Sequence, residues 1–319
     1  MKTYKIKNKM KHLLLGVCVC ALGAGQALAL DIYWTTGLGG QVQAANFDGS
    51  GTTTLITFGV AMRGIGLLPT ADKLYVAGSD RILYADLDGS NMNQFYVTGL
   101  SGAQGLAVDR VNSRIYFSSG DGIRRIDTTT GTGVATTLVT SEGSSSEAIA
   151  LDPLNQHIYY LNEGDNSLRR INYDGTGQTT LVTGGNITNP EGISVDTVNQ
   201  RIYVVNQGTS STGNIVRYNF AGTFIDTVVS GVATDGPEGV VVDNTNDKIY
   251  FTASNASGQV RSGDLDGSNL DNSFITGLNT DIQQVAVIPE PSTYAMIFGT
   301  LGLGLALLLR SRKKALLKA

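Results

Sequence analysis

One phrase returns four times along this chain, and it limits what the chain can become. It reads DRVNSRIYF at 109–117, DPLNQHIYY at 152–160, DTVNQRIYV at 196–204 and DNTNDKIYF at 243–251. The tyrosines of the Ile-Tyr and Leu-Tyr pairs are Tyr33, Tyr75, Tyr116, Tyr159, Tyr203 and Tyr250, spaced by 42, 41, 43, 44 and 47 residues. Strand-like runs fill the period. GLAVD (105–109), RIYFSS (114–119), GIRRID (122–127) and ATTLVT (135–140) are short, β-branched and aromatic, and are divided by Gly, Ser, Asn and Asp. No stretch of the body keeps a helical period.

A period near 43 with four strands per repeat predicts a propeller blade, which cannot bury both faces alone and must stack on neighbours. Six tyrosines predict an all-β, six-bladed β-propeller over residues 30–288. Each Asp-x-x-Asn is expected to form the turn between a blade's first and second strands, with Asx side chains holding backbone amides. FDGSG (47–51), LDGSN (87–91), YDGTG (173–177) and LDGSN (265–269) are expected to join third and fourth strands through type I′ turns. Small residues such as Gly105, Ala107, Gly192 and Ser194 mark the inner strand, where blades crowd the axis. The body starts at a second strand, DIYWTT (31–36), and ends with a lone first strand, DIQQVAVIP (281–289). The C-terminal strand should therefore complete the first blade and close the ring, removing exposed edges.

The stretch IYWTTGLGGQVQAANFDGSG (32–51) resembles the YWTD repeat, also called the low-density lipoprotein receptor class B repeat. The resemblance extends over 31–288 in blade order and hairpins. It departs at the tetrapeptide, where Thr36 replaces Asp and later blades read Tyr-Val, Tyr-Phe or Tyr-Tyr. NHL-type propellers are the nearest alternative.

The two ends differ from the body. Lys2, Lys5, Lys7, Lys9 and Lys11 precede an apolar run from Leu13 and the small-residue site Ala27-Leu28-Ala29. Residues 1–29 thus read as a secretory signal peptide, the run being short for an uncleaved anchor. Cys18 and Cys20, the chain's two cysteines, both lie there, each after a Val that disfavours lipidation. The body uses no disulfide and must stand on its core. At the other end, Pro289-Glu290-Pro291 precedes an apolar transmembrane-like helix at 294–309 and the basic Arg310, Arg312, Lys313 and Lys314. This tripartite tail (289–319) resembles the PEP-CTERM sorting signal; an ordinary C-terminal anchor is the alternative. The resemblance implies an exported protein of a Gram-negative bacterium that makes exopolysaccharide. It also implies an exosortase as processing partner, the inner membrane as station before processing, and the cell surface or extracellular matrix as destination.

Between Asp31 and Glu290 there are 27 acidic and 13 basic residues, a net of −14. Such a surface repels phosphate backbones, so nucleic acid is not expected as a partner, whereas cations, neutral glycans and basic surfaces remain open. No nucleophile elbow or reactive cysteine is present. His157, the body's lone histidine, occupies the place of Lys73, Arg114, Arg201 and Lys248 in other blades, so it is read as a turn-flanking surface residue and no catalytic residue is assigned. The DLDG stretches at 86–89 and 264–267 have the look of calcium loops but fall on the repeat's hairpins and lack further ligands.

One set of positions departs from repetition. The residue beside the inner-strand glycine, or its equivalent, reads Arg63, Gln104, Glu147, Glu191, Glu238 and Gln283 around the ring. Glu147, Glu191 and Glu238 would share one rim of the central channel as a cation or ligand site, with calcium as the candidate ion. Solvated charges and turn caps are the plain alternative. The sequence favours a non-enzymatic, exported propeller that binds a protein or exopolysaccharide partner. The alternative is a calcium-dependent lactonase- or lyase-like enzyme on the same fold.

Overall fold

A computed structural model describes residues 30–120, 122–140, 146–208, 212–232, 236–254, 258–278 and 281–288, without the side chains of Ser146 and Glu147. These residues form six four-stranded antiparallel sheets. The inner strands are β4 (Met62–Leu68), β8 (Leu106–Asp109), β12 (Ser146–Asp152), β16 (Pro190–Asp196), β20 (Pro237–Asp243) and β24 (Ile282–Val287). They neighbour one another in that order around an axis, and β24 neighbours β4. The expected six-bladed propeller is therefore the fold. In the first blade β24 pairs with β1 (Ile32–Thr36), with Ile32 opposite Val287 and Trp34 opposite Val285. The ring closes as expected, through strands from the two ends of the body. The signal region (1–29) and the tail (289–319), including its apolar stretch, lie outside the described residues. Among the described residues no helix is long and apolar enough to cross a membrane.

The recurring tyrosine is an inter-blade staple. All six are at most 5% exposed, and each reaches the third-to-fourth-strand hairpin of the next blade. The Tyr33 hydroxyl donates to Leu87 O at 3.3 Å, and that of Tyr203 to Leu265 O at 2.8 Å. Tyr116 packs on Tyr173, Tyr159 on Phe220 and Tyr250 on Phe47, with ring centroids 4.8, 5.3 and 5.9 Å apart. Tyr75 faces Thr128 across a cleft instead. Burying an aromatic of this size contributes on the order of 2 kcal/mol, so the six staples are a main term holding blade to blade.

The Asp-x-x-Asn turns form as expected. Asp109 Oδ1 accepts from Val111 N (3.0 Å) and Asn112 N (3.1 Å), while Oδ2 accepts from Asn112 Nδ2 (2.7 Å). Asp152, Asp196 and Asp243 repeat the set with Asn155, Asn199 and Asn246. A left-handed residue follows each: Ser113, Gln156, Gln200 and Asp247.

The hairpins correct one expectation. They are not type I′. Gly89 N bonds Asp86 O and Asp86 N bonds Ser90 O, both at 2.9 Å, and Gly89 has φ +84° while Asp88 is not among the positive-φ residues. This is a type I turn closed by a left-handed glycine bulge. The aspartate does different work from the one expected, since Asp88 Oδ1 accepts from Ser90 N at 2.8 Å. The glycine is needed twice over: a Cβ on Gly267 would sit 2.0 Å from Val228 O of the preceding blade's outer strand, β19 (Phe224–Val232).

Candidate functional site

The six inner strands run the same way along the axis, so the channel has two unlike mouths. Where the strands begin, Arg63, Gln104, Glu191, Glu238 and Gln283 converge on one small cavity of about 20 Å³. Register shifts between Met62 and Ile65, Pro190 and Gly192, and Pro237 and Val240 break the ladder there. Such bulges turn a side chain out of a sheet, here toward the axis. The glycines allow it: a Cβ on Gly192 would lie 2.3 Å from Glu238 O of the next blade. Freed amides find hydroxyls from the second strands. Gly105 N donates to Ser118 Oγ (2.8 Å) and Gly239 N to Thr252 Oγ1 (2.7 Å).

Two of the three expected glutamates are thus brought together; the Glu147 side chain lies outside the described residues. Burial, then the carboxylates of Glu238 and Glu163, pushes Glu191 up to about 7, against the pull of Arg63. Burial, then Asp281, pushes Glu238 up to about 7, opposed by Arg63 and by hydrogen bonds from Gln207 and Ser254. The amides form a wall. Asn189 Nδ2 donates to Gln207 Oε1 (2.9 Å), Gln207 Nε2 donates to Glu238 Oε1 (3.3 Å), and Gln283 Nε2 donates to Asp281 Oδ1 (2.6 Å). Gln104 Oε1 is buried with no hydrogen-bond partner among the described residues. The mouth therefore offers oxygen donors of the kind calcium takes, with the Arg63 guanidinium as counter-charge beside them. Among the described residues, however, no three His, Cys, Asp or Glu side chains are gathered as a metal-holding group.

Gln207, Asn189, Glu163 and Asp281 escaped the sequence reading because they come from loops and other strands, outside the inner-strand register.

The other sequence candidates fall elsewhere. His157 begins β13 (His157–Asn162), at the opposite end of its blade from the Glu191 mouth, opposite Asn172 and edge-on to Tyr159. Burial and Arg170 lower its pKa. Asp86 pairs with Lys73 and Asn91, and Asp264 with Lys248 and Asn269, so the DLDG carboxylates are committed to their hairpins. Pro289, Glu290 and Pro291 lie outside the described residues.

No protein-family model matches the chain, and no curated protein does. Solved structures do. A chain from the crystal structure of a nidogen/laminin complex aligns with TM-score 0.66 at 16% identity, covering 80% of this chain and 97% of that one. TolB from Acinetobacter baumannii aligns with TM-score 0.64 at 14% identity, covering 81% of this chain and 66% of that one. A TolB-like protein from Agrobacterium tumefaciens gives 0.61 at 13%, covering 81% and 98%. The expected likeness to YWTD-type propellers holds at the level of fold, which is what likenesses of this distance show.

Proposed function

We propose that this is an exported binding propeller, sorted through its Pro289-Glu290-Pro291 tail to the cell surface or matrix, where it holds a protein or glycan partner without chemistry of its own. The observation that carries the reading is the character of the Glu191 mouth. It is walled by amides and protonatable carboxyls, yet encloses only about 20 Å³. That is room for about one water or ion, not for a substrate. A partner would therefore meet the rim from outside, through hydrogen bonds of the kind amide side chains make with hydroxyls or peptide groups. The structural neighbour's presence in a complex with laminin is compatible with a protein-binding use of the fold.

The enzyme reading draws support from one fact. Two carboxyls with pKa near 7 are suited to general acid–base work. Calcium, held by Glu191, Glu238 and amide oxygens, would supply charge for such a reaction or lock the rim for binding.

Fractionation of the native host tests both halves of the proposal. The wild-type chain should collect in the washed exopolysaccharide matrix. Glu290→Ala should remain with the inner membrane as an uncut precursor. Asn189→Ala/Gln207→Ala should be processed normally but wash out of the matrix. Normal processing of Glu290→Ala would favour the ordinary anchor, and matrix retention of the amide variant would remove the Glu191 mouth from the partner surface.

A further inference from the structure

The opposite mouth carries an unrelated chemistry. Inner-strand residues line a channel of about 320 Å³, with Val108, Leu151, Val195 and Val241 among them. At its far end sits Arg110, directly after the Asp109 turn. Its Nε donates to Leu67 O and its Nη2 to Val287 O, both at 3.0 Å, so it bridges carbonyls of two other blades across the opening. Its Nη1 has no hydrogen-bond acceptor among the described residues and is not among the buried unpartnered atoms, so it is open to solvent in the channel mouth; the guanidinium forms no ion pair among the described residues. Burial alone pulls its pKa down, with no acidic neighbour to offset the cost. The guanidinium is half-buried and held by neutral carbonyls, whereas charges drawn into a protein are normally paired with an opposite charge.

The other blades show that this position does not require a cation. The residue after the turn aspartate is Pro153, Thr197 and Asn244 in the next three blades. Around this mouth the turns display Val111, Leu154 and Val198, 80%, 78% and 72% exposed. They are the third residue of the same four-residue turn in three successive blades. An apolar collar, an apolar shaft and one cation with an unused donor stand in line.

We propose that this mouth binds a small aliphatic monocarboxylate, its carboxylate on Arg110 and its hydrocarbon in the channel. The guanidinium presents its remaining donor as half of a charge-assisted pair. The shaft is at the lower end of the size range of ligand pockets. This site is independent of the Glu191 mouth and of any partner bound there.

Hexanoate is the probe. Isothermal titration of the full chain compares it with hexan-1-ol and hexylammonium at fixed ionic strength. Hexanoate should bind saturably at one site per chain, hexanol about tenfold more weakly or worse, and hexylammonium not at all. Arg110→Met should bind hexanoate no better than hexanol. Ala107→Leu keeps the arginine but fills the shaft, and should lose both ligands; it serves if Arg110→Met fails to fold. Equal binding of acid and alcohol, unchanged hexanoate affinity in either variant, or no saturation at millimolar hexanoate would overturn the proposal.

Discussion

Glu191 and Glu238 tie stability to pH in a direction opposite to that of most surface carboxylates. Each holds its proton to about 7 in the folded chain, against 4.5 as the ordinary glutamate value. Between those values the folded state carries more protons than the unfolded one, so stability falls as pH rises through that window and stays low above it. At about 1.4 kcal/mol per unit, each of the two groups costs on the order of 3 kcal/mol at alkaline pH. Asp86 and Asp264, lowered by hydrogen bonds from Lys73 and Lys248 respectively and from their hairpin neighbours, act the other way and lose their contribution in acid. Urea midpoints of wild type and Glu191→Gln/Glu238→Gln, taken at about pH 5 and pH 8, separate the pair from that background. The double variant should gain most at the higher pH, and calcium should narrow the gap by stabilising only the wild type. Parallel curves would show that these carboxyls are not held in a costly site. The convergence of Arg63, Gln104, Glu191, Glu238 and Gln283 was legible because a repeat register converts equal position into equal height. Arg110 was not, because it looks like any polar turn residue until three blades are seen to surround it. The available signal was a charged residue at a position that reads Pro, Thr and Asn in the other complete turns.

The hairpins show what pattern alone conceals. Asp-Gly correctly marks the turn, but it fits a type I turn with a glycine bulge as well as it fits type I′, and local sequence does not choose between them. The choice follows from the neighbouring blade, whose outer strand presses on the glycine. The residue before that dipeptide, or before Ala221-Gly222 in the fifth blade, plugs the gap between blades, as Phe47, Leu87, Tyr173, Phe220 and Leu265 do. The third blade has Thr128 there. Between the second and third blades a cleft of about 290 Å³ remains, lined by Tyr75, Tyr84, Tyr96 and Thr128. The three rings cluster edge-on or tilted, 5.1 to 6.0 Å apart. Thr128→Leu should bury about 2 kcal/mol worth of apolar surface and forfeit about 1 kcal/mol from the bond that Thr128 Oγ1 donates to Ser113 O. The net gain would raise the melting temperature by roughly 2–4 °C. The reciprocal change, Leu87→Thr, opens an equivalent gap between the first and second blades and should cost about 2–3 kcal/mol. If Thr128→Leu lowers the melting temperature, the plug account of the interface is wrong.

The ring as a whole depends on its closure. Five blades are continuous in sequence, so their strands pair locally. The first is built from strands about 250 residues apart, β1 and β24, and its formation must meet the entropy of closing almost the entire body. With no disulfide available in the body, the offsetting energy comes from packing. Ile282 is 0% exposed, and Val285 and Val287 are each 4% exposed, in the same cluster as Trp34, Tyr250 and Val260. The backbone joins in: Gly37 N bonds Asp281 O at 2.9 Å and Ile288 N bonds Asp31 O at 2.8 Å. Ile282→Ala should therefore cost about 2–5 kcal/mol, and its effect should spread over the whole unfolding transition, since every blade rests on two neighbours. Removing residues 281–288 should do more. It exposes the edge of β1 and uncovers the faces of the second and sixth blades, so the chain should melt far lower and aggregate through the free edge. Thermal unfolding with light scattering checks both variants. A melting temperature unchanged by the deletion would mean that the remaining five complete blades stand without the ring, and that closure contributes little to stability.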